Sequence, residues 1–195
     1  EEHGGTQIGT TKKGIGPCYE DKIARVGIRM IDLLNPEILR DKIEKNLKIK
    51  NSLFEKYYGK PTLDVEEIYN EYLEIGKQLQ DRIVDTELEL NEAIRDGKNV
   101  LFEGAQALML DIDFGTYPYV TSSSPSTGGV CSGAGVPPTS LQNLIGVAKA
   151  YCTRVGNGPF PSELDNELGE SIRQIGGEFG ATTGRPRRTG WLDLV

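Results

Sequence analysis

The chain has 195 residues, 37% of them hydrophobic, enough to bury the core of one large unit or of one unit with a helical appendage. A net charge of −7 and a sequence pI near 4.9 repel duplex nucleic acid, while a local cationic cleft could still hold a small anion. Cys18, Cys131 and Cys152 are widely spaced with no metal-ligand pattern, and there is neither a signal-peptide pattern nor an apolar run long enough to span a bilayer; the expectation is a cytoplasmic protein with reduced thiols and no zinc site. The single histidine, His3, leaves hydrolase chemistry that relies on a histidine base without a well-placed candidate.

From Gly9 the chain reads Gly-Thr-Thr-Lys-Lys-Gly-Ile-Gly-Pro-Cys-Tyr-Glu-Asp-Lys-Ile-Ala-Arg, placing hydroxyls, cations and glycines before a helix start. That composition suits an anion cradle, in which backbone N–H groups, a helix N-terminus, threonines and an arginine converge on a phosphate. Pro17 fits a first helical turn, and Ile23, Val26, Met30, Ile31 and Leu34 predict one apolar face of a helix over 19–34. Asn35-Pro36 breaks it, and a second helical pattern from Ile38 to Tyr57 stops at Gly59. Residues 64–96 stay helical in spacing, with a break near Asp85, so 35–99 reads as an amphipathic helical insert to which no chemistry is assigned.

At Gly97 the grammar changes. Val100-Leu-Phe predicts a short buried strand ending at Gly104, and the alternation Ile145, Val147, Lys149, Tyr151, Thr153, Val155 predicts another that feeds Gly156-Asn-Gly-Pro. A helix over 167–175 closed by Gly176-Gly177 follows, and Trp191-Leu-Asp-Leu-Val195 is strand-like. That last run stops without a turn or polar tail, so the chain is expected to be a piece of a longer protein. Strands feeding glycine-rich loops with helices between them predict an α/β fold with a mostly parallel sheet and flanking helices.

Two further stretches suggest chemistry. Gln106 follows a predicted strand end, where its amide suits the edge of a neutral base, and the loop after it carries Ile112, Phe114, Tyr117, Tyr119 and Val120, too apolar for a solvated linker. Asp111 and Asp113 could ligate magnesium, but carboxylates at that spacing more often cap turns. Near the C-terminal end, Thr182, Thr183, Arg185, Arg187 and Arg188 sit in a glycine-containing loop whose planar forks suit carboxylates and phosphates. The competing reading is an RNA-binding module using Lys12-Lys13 and Arg187-Arg188; a third treats the helical insert as a partner-docking surface.

Together these stretches carry a resemblance. Gly14-Ile-Gly-Pro-x-Tyr-x-x-Lys-x-x-Arg25, Glu103-Gly-Ala-Gln106 through Gly-Thr-Tyr-Pro-Tyr-Val-Thr121-Ser-Ser, Arg154-Val-Gly-Asn-Gly-Pro-Phe-Pro-Ser-Glu-Leu164, and Gly180-Ala-Thr-Thr-Gly-Arg185 with Arg187-Arg-Thr-Gly-Trp-Leu-Asp193 resemble, in order, blocks of the adenylosuccinate synthetase family. The resemblance implies that 1–195 is one central fragment of a larger, partly P-loop-like enzyme domain, with 35–99 as a helical insert. It implies GTP-dependent ligation of IMP and L-aspartate: GTP phosphorylates O6 of IMP, and the aspartate amine displaces that phosphate.

Magnesium and a homodimer come with the resemblance, with the metal ligands outside this chain. In the family, positions matching Thr11, Gln106 and Thr121 contact IMP, and the one matching Arg25 reaches the IMP phosphate from the neighbouring subunit. The loop matching Ala181, Thr182, Thr183, Gly184, Arg185, Pro186 and Arg187 binds aspartate, with Arg185 on its carboxylate and near IMP, and Arg187 at the GTP ribose. No catalytic residue falls within this chain. The family's phosphate-binding glycine-rich segment, its catalytic aspartate and histidine, and its guanine-recognising Lys-x-Asp have no match in this sequence, so the fragment alone is expected to be inactive. Ala107 and Pro186 stand where the family commonly has glycine and a basic residue.

Overall fold

The computed structural model describes residues 9–181 and 184–194. Its longest helix, α2 (Pro36–Lys56), starts at Asn35, whose side-chain oxygen accepts from the Glu37 and Ile38 N–H groups at 3.1 and 3.2 Å; Pro36 occupies a first-turn position that needs no N–H. The helix buries Leu39, Ile43 and Leu47, and residues including Val65, Ile68 and Leu73 of α3 (Val65–Leu79) pack against that stripe. Asp64 caps α3 through the Glu67 N–H at 2.9 Å, and Asp85 caps α4 (Thr86–Arg95) through the Leu88 N–H at 3.0 Å, so the expected break near Asp85 is a helix start. Leu33 joins the core from a 3-10 turn, Met30–Leu34, which α3 crosses so closely that a Cβ on Gly76 would stand 2.5 Å from the Leu33 carbonyl oxygen. Only glycine fits there.

These elements form one compact unit, residues 16–99. Its first helix, α1 (Ile15–Ala24), ends well before the expected residue 34. Arg25 adopts φ 65°, and the Val26 and Gly27 N–H groups both donate to the Asp21 carbonyl, at 3.0 and 3.1 Å, closing the helix. The departing chain is then tied back to α2, where Asn46 donates to the Val26 carbonyl at 2.9 Å, and α1 itself is tied there by Lys50, which pairs with Asp21 at 2.8 Å. Ile23, Met30 and Ile31 remain exposed, so the helical spacing there marks a surface instead of one continuous buried face.

The described residues among 1–15 and 100–195 make the second unit. Two strands, β1 (Tyr151–Arg154) and β2 (Arg188–Trp191), pair antiparallel with Tyr151 opposite Trp191 and Arg154 opposite Arg188. Residues 162–164 flank the other edge of β2, where the Leu164 N–H donates to the Thr189 carbonyl at 2.9 Å and the Trp191 N–H to the Ser162 carbonyl at 3.0 Å. A short helix, α5 (Thr127–Ala134), precedes β1, and α6 (Glu167–Gly176) lies between the strands. Asn166 caps α6 through the Gly169 N–H, and the buried Thr189 hydroxyl ties it to β2 by donating to the Gly169 carbonyl at 2.7 Å.

Helices with a small sheet make this an α/β chain, as expected. The expected parallel pairing is corrected: among the described residues the sheet is two-stranded and antiparallel. Only 151–154 of the predicted strand over 145–155 is paired, and the run at 100–102 forms no ladder; Leu101, Ile145 and Val147 are 85%, 83% and 94% exposed. Alternation specifies extended backbone, whereas a strand needs a neighbour for its N–H and C=O groups, and those segments have none among the described residues. The C-terminal strand also begins earlier than its apolar run, at Arg188, because the Thr189 hydroxyl, the ladder with β1 and the bridge from Glu163 to Gly190 fix that segment.

Candidate functional site

The loop after Gln106 folds back on itself. The Thr121 N–H donates to the Leu110 carbonyl at 2.8 Å and the Ile112 N–H to the Ser123 carbonyl at 3.2 Å, while Asp111, fully buried, accepts from the Asp113 N–H at 2.9 Å and from the Ser124 hydroxyl. The Ser124 hydroxyl, helped by backbone N–H groups and opposed by burial, holds the Asp111 carboxyl below the usual carboxylate range. Asp111 is thus a charged staple inside the loop. Gln106, at φ 64°, lines a cavity of about 360 Å³ with Gly104, Ser123, Ser124 and Val130, so it and the segment just after Thr121 border one space.

Two arginines, opposite one another on β1 and β2, organise the next layer. Arg154 donates to the Thr116 hydroxyl and the Tyr119 carbonyl, both at 3.0 Å, and to the Asn157 carbonyl at 2.9 Å. Burial, reinforced by the nearby Arg188 charge, lowers its pKa. Arg188 grips Glu163 with both arms of its fork and also donates to the Gly156 and Gly158 carbonyls at 3.2 and 2.9 Å. The turn at 156–158 is thereby fixed between two guanidinium groups, one of which also holds the backbone leading into Thr121.

Beside that turn, Arg185 Nη1 donates to the Gly9 carbonyl at 3.1 Å. Gly9 has φ 85°, and a Cβ there would stand 3.3 Å from both Arg185 Nη1 and the Gly156 Cα, so the glycine permits this approach on two counts. Thr11 follows two residues later, exposed. Arg185 itself belongs to a hairpin-like loop in which the Gly180 N–H donates to the Arg185 carbonyl at 2.8 Å and Phe179 bridges Pro186. Glu178 and Arg187 close its mouth: the Arg187 N–H donates to the Glu178 carbonyl at 2.9 Å, and Arg187 Nη1 donates to Glu178 Oε2 at 2.7 Å.

Eight of the sequence-predicted residues, Thr11, Gln106, Thr121, Ala181, Gly184, Arg185, Pro186 and Arg187, lie in the second unit. Thr182 and Thr183 fall outside the described residues. Gln106 lines the cavity with Ser123, whose hydroxyl meets that of Thr121. Tyr119, two residues before Thr121, is held by Arg154, which also holds the 156–158 turn beside Gly9 and Arg185. Thr11, Thr121 and Arg185 do not themselves line that cavity. Arg25 belongs to the helical unit, exposed just beyond α1. Among the described residues the non-glycine positions with positive φ are Lys12, Arg25 and Gln106; two of the three are predicted site residues, and such strain concentrates where function requires it.

Sequence reasoning gave no role to Glu178, Glu163 or Arg154. The available signal was a glutamate, Glu178, set between glycines beside an arginine-rich loop. Arg187 and Arg188 are each paired with a carboxylate, Glu178 and Glu163, while Lys12 and Lys13 are exposed. Among the described residues no three His, Cys, Asp or Glu side chains converge as a metal site, and the Asp111 carboxylate is engaged by its own loop, so the residues described do not fit a magnesium site. No helix among them is long and apolar enough to cross a membrane.

The sequence profile of adenylosuccinate synthetase matches residues 1–195. The adenylosuccinate synthetase of Thermodesulfovibrio yellowstonii is 61% identical over 97% of this chain and 44% of its own length, and that of Geobacillus sp. strain WCH70 is 58% identical over all of this chain and 46% of its own. A solved structure of fully ligated adenylosuccinate synthetase from Plasmodium falciparum superposes with a TM-score of 0.90 at 48% identity, covering 97% of this chain and 44% of that one. The chain spans less than half the length of the relatives it matches. With the whole sequence inside the profile and the backbone superposing closely, this chain belongs to the adenylosuccinate synthetase family.

Proposed function

We propose that this chain supplies the IMP- and aspartate-recognising part of a longer, cytoplasmic ligase that joins IMP to L-aspartate at the expense of GTP. Thr11, Gln106 and Thr121 contact IMP, Arg185 takes the aspartate carboxylate, and Arg187 meets the GTP ribose. The observation that supports this most is the approach of Arg185 to Gly9 beside the 156–158 turn, which Arg154 ties to the backbone leading into Thr121. The chemistry suits such residues. Phosphoryl transfer to O6 and displacement by an amine ask for positioning and charge neutralisation, which amide, hydroxyl and guanidinium groups provide without a protein nucleophile.

The reading includes a homodimer in which Arg25 of the partner subunit reaches the IMP phosphate. Its support is the position of Arg25, exposed beyond α1 with exposed Ile23, Met30 and Ile31 nearby in sequence, apolar surface of the kind that a second subunit covers. Magnesium would neutralise charge on the GTP phosphates, held by groups other than the described residues.

The test is turnover. A longer polypeptide carrying this sequence should form adenylosuccinate only when IMP, GTP, aspartate and magnesium are all present, and the purified chain alone should form none. Product without GTP or without IMP would overturn the assigned reaction, and turnover by the chain alone would overturn its assignment as a recognition segment.

A further inference from the structure

Glu178 is assigned to no substrate, yet it is a heavily engaged carboxylate of the second unit and holds Arg187, which is assigned to one. Only 4% of it is exposed. One oxygen, Oε1, accepts from Lys149 Nζ at 2.9 Å and from the Tyr151 hydroxyl at 2.6 Å; the other, Oε2, accepts from Arg187 Nη1 at 2.7 Å. A buried carboxylate is costly unless its lone pairs are satisfied, and here two cations and a phenol satisfy them. The arrangement leaves the remaining nitrogens of a part-exposed guanidinium pointing from a fixed base. The Arg187 backbone is fixed as well, its N–H on the Glu178 carbonyl and its own carbonyl accepting from Arg173 Nε at 2.7 Å.

We propose that Glu178 is a positioning residue, which aims the Arg187 guanidinium at its ligand and, through Lys149 and Tyr151, anchors the bridged Phe179 and Pro186 to the start of β1. The proposal rests on the reading of Arg187 as a GTP-ribose contact. A guanidinium preset by a buried partner loses little side-chain freedom on binding, whereas one released from it must be ordered by the ligand itself. Removing the charge of residue 178 therefore weakens the ligand of Arg187 and leaves distant subsites alone.

The experiment is steady-state kinetics of the longer enzyme with Glu178→Gln, Arg187→Ala and the double variant. Glu178→Gln keeps the shape and an acceptor for Tyr151 but loses the charge that holds Arg187. The GTP KM should rise about tenfold, the equivalent of one displaced charge-assisted hydrogen bond, with kcat falling less than about threefold and the IMP KM moving less than about twofold. In the Arg187→Ala background the same change should add almost nothing to the GTP KM. If Arg187→Ala raises the GTP KM and Glu178→Gln does not, the positioning role is wrong. If Arg187→Ala itself leaves the GTP KM unchanged, the assignment of Arg187 to GTP fails instead. Equal rises in all three KM values, or full additivity in the double variant, would show that Glu178 serves only loop stability.

Discussion

The two units are held together by different physics. Four of the five buried hydrophobic residues among those described, Leu33, Leu39, Ile43 and Leu47, belong to the helical unit, and only Val136 belongs to the other. The balance of buried polar residues is reversed: Asp111, Glu178 and Thr189 lie in the second unit, and only Asp32, which accepts from Lys42 and the Arg29 N–H, lies in the first. One unit is a scaffold packed on an apolar stripe, while the other is a set of loops fixed at charged nodes. Substrate-sized anions need backbone and guanidinium groups held in place near solvent, which nodes of this kind provide and a greasy core does not.

That contrast is breakable by substitution. Leu39→Ala removes a fully buried side chain from the helical core and should cost about 2–5 kcal/mol in denaturant unfolding, with the KM for each substrate unchanged in the protein that remains folded. A loss under about 1 kcal/mol would mean that α2 and α3 are not packed as described. Arg154→Ala should do the converse. It removes three donors that hold Thr116, Tyr119 and Asn157, so the IMP KM should rise about tenfold with a smaller loss of stability, and an unchanged IMP KM would separate the Thr121 loop from the site.

The smallest effect is the pH dependence of the Glu178 node. Burial opposes ionisation there, but Lys149, Tyr151 and Arg187 outweigh it and hold the carboxyl at about 2 against an ordinary 4.5. Because the folded-state value is depressed, the carboxylate's contribution is complete above about 4.5 and is lost as pH falls through about 2. Glu178→Gln has no such contribution. The stability gap between wild type and variant should therefore narrow on acidification across that window, and a gap that widens would contradict the node.

How far each unit could be read from sequence follows the same division. Asn35-Pro36, Gly59, Asp64 and Asp85 are local start and stop signals, and the stripe Leu39, Ile43, Leu47 has the period of a helix, so α2, α3 and α4 were legible. The end of α1 was not, because it depends on Arg25 taking a left-handed conformation and on Asn46 recruiting the departing chain at Val26. The candidate residues in the second unit were visible as motif positions. Their supports were not, since Glu178 meets Lys149 and Tyr151 from 29 and 27 positions away and Arg188 meets Glu163 from 25, separations that no periodicity records.

The recognition claim is tested most directly by Arg185→Leu in the longer enzyme, with KM measured separately for aspartate and for GTP. Loss of the fork from a carboxylate should raise the aspartate KM about 10- to 100-fold while the GTP KM stays within about twofold. Equal increases for the two substrates, or an unchanged aspartate KM, would contradict the account.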